Sequence, residues 1–246
     1  MIRNNINGMG NDSYCKLLLN GNVLTSRDGV AAPAGQFYEA SNGGGHLYSM
    51  ISNNYVYPLP DSAIKKFGDN SWHFPASGGD IGILVTGQST SDWEIEDKDF
   101  TLDAWMYGGG VTITPNVFIA GMYLDASTYW GLKYSTTDVV GELHLHFTVK
   151  IEGSILLDIS YNYAVASSTF AHTAVVKDGS TITLYLNGNV MDSDTLATIP
   201  NINTNFKVGT FCGGACADSI FHIDEFRYSK GIARWLNDFT PPNRAY

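Results

Sequence analysis

Along residues 100–107 apolar and polar side chains take turns. Phe100, Leu102, Ala104 and Met106 fall on one side, and Thr101, Asp103, Trp105 and Tyr107 on the other. A period of two marks a β-strand, because successive side chains leave opposite faces of a pleated chain. The period recurs at 142–150, where Leu143, Leu145, Phe147 and Val149 oppose Glu142, His144, His146 and Lys150. Apolar runs predict further strands at 14–19, 117–124, 129–134, 155–160, 170–177, 181–187, 205–211 and 221–228, with two more between 62 and 86. Asp178-Gly179 and Asn187-Gly188 end two consecutive runs. These pairs supply the positive φ that tight hairpins need, so 170 to about 195 reads as a three-stranded antiparallel meander.

About twelve short strands with Gly- and Asn-rich corners predict an all-β protein, a two-sheet antiparallel β-sandwich. The one helical candidate is 231–236. Residues 25–45 read as loop, and 46–60 as a strand or a loop laid over the sandwich. Residues 1–13 are polar and read as an N-terminal arm, leaving 14–246 as one domain. The closing stretch 219–246 begins as a strand and ends in a tail carrying Arg234, Trp235, Phe239 and Pro241-Pro242. Apolar groups of that size are worth ordering at a terminus only when buried, so the tail is expected to seal the sandwich.

Composition narrows the function. A net charge of −10 repels phosphate backbones and excludes nucleic acid as a partner. Cys15, Cys212 and Cys216 make an odd count, with no histidine close in sequence to complete a zinc set. They read as free cysteines, with a Cys212–Cys216 bridge as the alternative. The opening MIRNNINGMG has no apolar leader, so the chain is expected to be made and folded in a host cytosol. No run approaches the roughly 18 apolar residues of a membrane span, so no membrane insertion is expected.

Five segments together resemble the laminin-G-like, concanavalin A-like jelly-roll modules, in the version common in bacteriophage virion proteins. They are LLLNG, AIKKFGDNSWHF, SDWEIEDKDFTLDAW, FAHTAVVKDGSTITLYLNGNVM and IDEFRYSKGIARWLNDFTPP, and the resemblance covers about residues 15–246. It implies two curved sheets packed face to face, with first and last strands adjacent. It further implies a non-enzymatic virion structural module, a tail fibre, head fibre or capsid decoration, that mediates surface attachment. Its partners would be other virion proteins and host-surface glycans. Any homo-oligomer would form through sandwich surfaces or the 1–13 arm. A stand-alone carbohydrate-binding lectin is the alternative, and a glycoside hydrolase ranks below both.

The hydrolase reading needs two facing carboxyls about 5–5.5 Å apart. Glu94, Glu96, Asp97 and Asp99 come nearest, but they fall where the family has a loop, and adjacent Asp224 and Glu225 point to opposite faces. No catalytic residue is therefore assigned. His144 and His146 share a strand face but make only half a zinc site. His172 matches a histidine of the family meander, where structural hydrogen bonding is expected. The resemblance also offers a Ca²⁺ site where the first strand, a Gly-Asp loop and the closing strand meet. Here that is Asn20, Asp80 and Asp224, with Asn20 standing where the family has an acid. The five tryptophans read as packing residues. Tyr48, Tyr55, Tyr57, Tyr107 and Tyr129 remain as the candidate ligand-binding aromatics.

Overall fold

The computed structural model describes residues 11–32, 34–41, 46–52, 55–75, 79–86, 90–108, 117–136, 142–164, 169–211 and 221–246. Short strands come first: β1 (Cys15–Leu19), β2 (Ser26–Arg27), β3 (Val30–Ala31), β4 (Phe37–Tyr38), β5 (Leu47–Ile51), β6 (Leu59–Asp61), β7 (Ser71–Phe74) and β8 (Ile81–Thr86). Longer ones follow: β9 (Phe100–Gly108), β10 (Val117–Asp125), β11 (Thr128–Thr136), β12 (Glu142–Ile151), β13 (Ser154–Ala164), β14 (Phe170–Asp178), β15 (Thr181–Leu186), β16 (Asn189–Thr195), β17 (Phe206–Phe211) and β18 (Phe221–Lys230). The first sheet has the order β16-β15-β14-β9-β18-β7-β6, with β1 also paired to β18. The second has the order β13-β12-β11-β10-β17-β8-β5-β4, and β2 and β3 form a separate hairpin.

The two sheets stack through their apolar faces, as the alternation requires. Phe100 of β9 meets Trp130 of β11 and Phe147 of β12 at ring centroids of 6.1 and 5.8 Å. Phe206 of β17 meets Tyr228 of β18 at 5.3 Å. All five tryptophans are buried. β1 lies on β18 with Leu17 opposite Tyr228, so the chain's first and last strands are neighbours, as expected.

The predicted meander is present as β14-β15-β16. Asn187 and Gly188 carry φ of 50° and 81° and form its second corner. The first corner is shifted by one residue: Asp178 pairs with Thr181, and Gly179, with φ 58°, leads the two-residue loop. Segment 46–60 holds β5 and the start of β6, and the stretch 25–45, expected to be loop, carries only the two-residue strands β2, β3 and β4 among its described residues. Residues 231–236 are irregular and not helical. The backbone there lies along β9, where the Thr101 hydroxyl donates to the Ile232 carbonyl (3.1 Å) and accepts the Arg234 amide (3.0 Å). A helix would turn away the residues that cover the sheet.

That cover is the main departure from simple alternation. The outer face of β9 is not solvated: Thr101 and Asp103 have no exposed surface and Trp105 is 7% exposed. The tail lies over Thr101 and Asp103 as a third layer, while Lys66 and Phe67 cover Trp105 at 4.1 and 5.8 Å from its ring centre. Ala233, Trp235 and Phe239 pack on Ala174, Val176 and Tyr185. The Trp235 and Phe239 rings stack at 4.0 Å, and His172 presents an edge to both at 5.7 Å. Arg234 reaches from the tail to the Asp12 carboxylate (2.8 and 3.1 Å), fixing a residue of the expected arm against the domain.

The tail is also pinned to the Asn187-Gly188 corner, where the Phe239 amide donates to the Gly188 carbonyl at 2.8 Å. A Cβ on Gly188 would come within 1.9 Å of the Phe239 carbonyl oxygen. Gly188→Ala is therefore expected to cost about 1–3 kcal/mol, because it sets strain at positive φ against the docked tail. Chemical denaturation measures the loss, and a red shift of tryptophan emission would report Trp235 losing its cover.

Candidate functional site

The outer face of the second sheet is built differently. On β11 the side chains of Tyr129, Lys133 and Ser135 point away from the core, because Trp130, Leu132 and Tyr134 point into it. On β12 the outward set is His144, His146, Thr148 and Lys150, and β13 adds Asp158, 32% exposed at its side chain. Register places Lys133 opposite His146 and Gly131 opposite Thr148, so these groups form one patch.

At one end of the patch lie aromatic rings. Phe118, Tyr123 and Tyr129 cluster, with Phe118–Tyr123 at 5.1 Å and Tyr123–Tyr129 at 5.9 Å. Phe118 can lie flat because Gly131 is beneath it; a Cβ there would be 2.6 Å from the ring. Lys207 Nζ sits 5.3 Å from the Tyr123 ring centre and donates to the Tyr123 carbonyl at 2.8 Å. Lys133 Nζ sits 6.0 Å from the Tyr129 ring centre. Burial lowers the pKa of both lysines, and Asp158 beside Lys133 and Asp80 beside Lys207 oppose that shift.

At the other end, the His146 ring nitrogens lie 2.9 Å from Ser135 Oγ and 3.1 Å from Asp158 Oδ1. Thr148 donates to the same Asp158 oxygen at 2.6 Å. Burial works against the Asp158 carboxylate, but these hydrogen bonds hold its pKa below the ordinary value. Tyr129, partly buried on the buried Phe118 and Tyr123, offers one aromatic ring beside fixed hydroxyl, imidazole, ammonium and carboxylate groups, a setting that suits a flat polyhydroxylated ring. The apolar face stacks on Tyr129 and the hydroxyls find donors and acceptors at the rim. The Ser135–His146–Asp158 order is also that of a nucleophile, its base and the base's orienting acid.

The predicted site residues scatter. Tyr48 is a correction: it is fully buried on β5, with its ring 5.6 Å from Phe37 and 5.9 Å from Trp72, so it is a core residue. Strand alternation turns it between the sheets. Tyr55 is 91% exposed, with φ 65°, and Tyr57 is 41% exposed, both ahead of β6. Tyr107 lies on the first sheet, 5.3 Å from Phe170, and only Tyr129 belongs to the patch described above. Asp224, on the first sheet, is buried and accepts the Lys66 and Phe67 amides at 2.8 and 3.0 Å. Asp80 precedes β8 of the second sheet, and Asn20 follows β1 and accepts the Asn22 amide at 3.4 Å. Cys15 is free and buried, whereas Cys212 and Cys216 lie outside the described residues.

The acidic loop has structural work. Glu96 accepts Asn201 Nδ2 at 3.0 Å, Asp97 pairs with Lys98 at 2.7 Å, and Asp99 accepts the Gly179 amide at 2.8 Å. Sequence reasoning named His144 and His146 only as half a metal site and passed over Ser135, Lys133 and Asp158. Their joint placement depends on strand register, which period-two patterning leaves open.

A family model described as "Concanavalin A-like lectin/glucanases superfamily" matches residues 77–229. No curated protein sequence matches. Among solved structures, the binding domain of Paraclostridial Mosquitocidal Protein 1 superposes with a TM-score of 0.61 at 17% identity, over 92% of this chain and 50% of that one. The binding domain of botulinum neurotoxin DC, in complex with rat synaptotagmin II, gives 0.60 at 15% identity, over 90% and 49%. A structure described as "Cell entry of botulinum neurotoxin type C is dependent upon interaction with two ganglioside molecules" gives 0.59 at 16% identity, over 92% and 49%. The chain thus spans about half the length of these domains.

Proposed function

Because this chain belongs to the concanavalin A-like lectin/glucanase superfamily, we propose that it is a non-enzymatic carbohydrate-recognition module. Its ligand site in this reading is the outer face of β11–β13. The observation that carries the reading is the patch itself: Tyr129 half-buried beside Lys133, with Ser135, His146 and Asp158 held in fixed hydrogen-bonding geometry on an accessible face. A neighbour's dependence on ganglioside for cell entry is in keeping with a sugar ligand.

A glycan array tests it. Selective binding is expected for the native chain, with Tyr129→Ala weakening it about tenfold, the scale of a lost aromatic contact plus its burial. Loss on Tyr55→Ala or Tyr57→Ala instead would move the site to the exposed loop ahead of β6, and a silent array would favour a scaffold. The setting we propose is a virion surface, as in a tail fibre, head fibre or capsid decoration. What supports it is the resemblance of the closing segment, and electron microscopy of intact particles carrying the labelled chain checks it.

A second reading has one observation in its favour, the Ser135–His146–Asp158 chain of hydrogen bonds. Against it, β11 is paired to β12 along its length, and acyl chemistry needs backbone N–H donors gathered at an oxyanion. Release of product from an activated ester, abolished by Ser135→Ala, would turn the proposal toward hydrolysis.

A further inference from the structure

Three side chains far apart in sequence meet on the outer face of the first sheet, on strands that the glycan patch does not use. Asp61 ends β6, His73 lies on β7 and His222 on β18, and their donor atoms all lie within 4.8 Å of one another. His73 and His222 are directly opposite in the ladder, which stacks their rings at 4.4 Å and 7°. The Asp61 carboxylate is aimed by its own loop. Oδ1 accepts the amides of Ala63 (2.7 Å) and Ile64 (3.4 Å), while Oδ2 lies 3.0 Å from His222 Nε2. Tyr107 closes the far side of His222 with an edge contact at 5.6 Å.

His222 is 3% exposed, and its second nitrogen, Nδ1, is buried with no hydrogen-bond partner among the described residues. His73 and Asp61 are only partly buried, so the cluster opens to solvent on one side.

We propose that Asp61, His73 and His222 bind a divalent first-row transition ion of the zinc type, with a fourth coordination position open to solvent. Two imidazoles and one carboxylate suit zinc, nickel, cobalt or copper, whereas calcium and magnesium select all-oxygen sets. Zinc holds imidazole nitrogen and carboxylate oxygen at about 2.0–2.2 Å, which spaces tetrahedral donors about 3.3–3.5 Å apart. The His222–Asp61 pair is already close to that spacing, and rotation of the His73 ring supplies the third donor. The two amides on Oδ1 keep the carboxylate oriented, the role that outer hydrogen bonds play around metal ligands. An open fourth position leaves room for water or for a ligand's oxygen.

The test is titration of the chelator-treated full chain with Zn²⁺ alone by calorimetry, and with Co²⁺ alone by visible absorption. One saturable site per chain is expected, with the absorption of low-coordinate cobalt. His73→Gln and Asp61→Asn are expected to weaken binding at least tenfold with an unchanged near-ultraviolet dichroism spectrum. Both positions are partly exposed, and asparagine keeps the oxygen that accepts the two amides, so both variants should fold. Absence of saturable binding in the native chain would overturn the proposal. So would full affinity in His73→Gln and Asp61→Asn, or loss on His144→Ala in their place. Glycan binding is read separately on Tyr129, so either proposal can fail without the other.

Discussion

Asp103→Asn is expected to destabilise the protein by about 3–5 kcal/mol, the scale of breaking one partner out of a buried ion pair. The carboxylate accepts Arg227 Nε at 2.9 Å and Nη2 at 3.1 Å, faces His172 Nε2 at 3.3 Å, and receives the Tyr246 hydroxyl. Asp103, Arg227 and His172 have no exposed surface. Burial alone would raise the Asp103 pKa; Arg227 and His172 reverse that and hold it at about 2. Asparagine keeps one acceptor but turns an N–H₂ toward the guanidinium and leaves its charge uncompensated. Against a typical total of about 5–15 kcal/mol the loss is large, and it would appear as a lower urea midpoint. Replacing Asp103 and Arg227 together by apolar residues of similar volume should recover most of it, because the pair's own desolvation cost goes as well. A single-variant loss under about 1 kcal/mol would mean that the pair is solvated.

Arg227 faces Asp103 because β18 carries a bulge. Asp224 pairs with Trp105, but Arg227 pairs with Asp103, so one extra residue is taken up at Glu225, whose φ is 50°. Without it, Phe226 would stand opposite Asp103 and the arginine would be displaced. The bulge therefore sets both the ion pair and the inward course of Phe226.

This is also where legibility from sequence ends. Strands and corners were readable because backbone conformation and burial leave local marks, as in the alternation of β9 and the Asn187-Gly188 turn. The turn between β12 and β13 uses Glu152 and Gly153 at φ 49° and 85°, and glutamate gives no such mark. Alternation correctly divided Thr101, Asp103, Trp105 and Tyr107 from the core face. It could not say that the second face was roofed by a tail more than a hundred positions away, since a polar residue under a roof and one in water look alike. The same limit hid the cluster on the first sheet, where Asp61 and His222 are 161 positions apart. Tyr129 was found by residue type alone; the polar partners that distinguish it from Tyr48 come from register and from which sheet face is open.

Glu225→Gln is expected to stabilise the protein at pH 8 by about 2–3 kcal/mol and to leave it unchanged at pH 4. Glu225 is 2% exposed, and burial, helped by Asp224 and Asp103, pushes its pKa from an ordinary 4.5 up to about 7 against the Tyr246 amide and Arg227. A carboxyl with a raised folded pKa is accommodated in its neutral form. Its contribution is full below about pH 4.5, where both states carry the proton. Between 4.5 and 7 the unfolded chain gives up its proton while the folded chain retains it, so stability falls across that window and stays lower above it. Glutamine is always neutral and nearly isosteric. Its carbonyl can accept the Tyr246 amide that now donates to Glu225 Oε2 at 2.9 Å, so the tail stays docked. Other groups titrate too, among them Asp224, whose pKa is also raised by burial. The informative quantity is therefore the difference between the denaturation midpoints of the two proteins, followed from pH 4 to 8. That difference should open between about pH 4.5 and 7 and then level off. Two parallel curves would mean that water reaches Glu225 beneath the tail, and that Tyr246 does not seal the bulge from solvent.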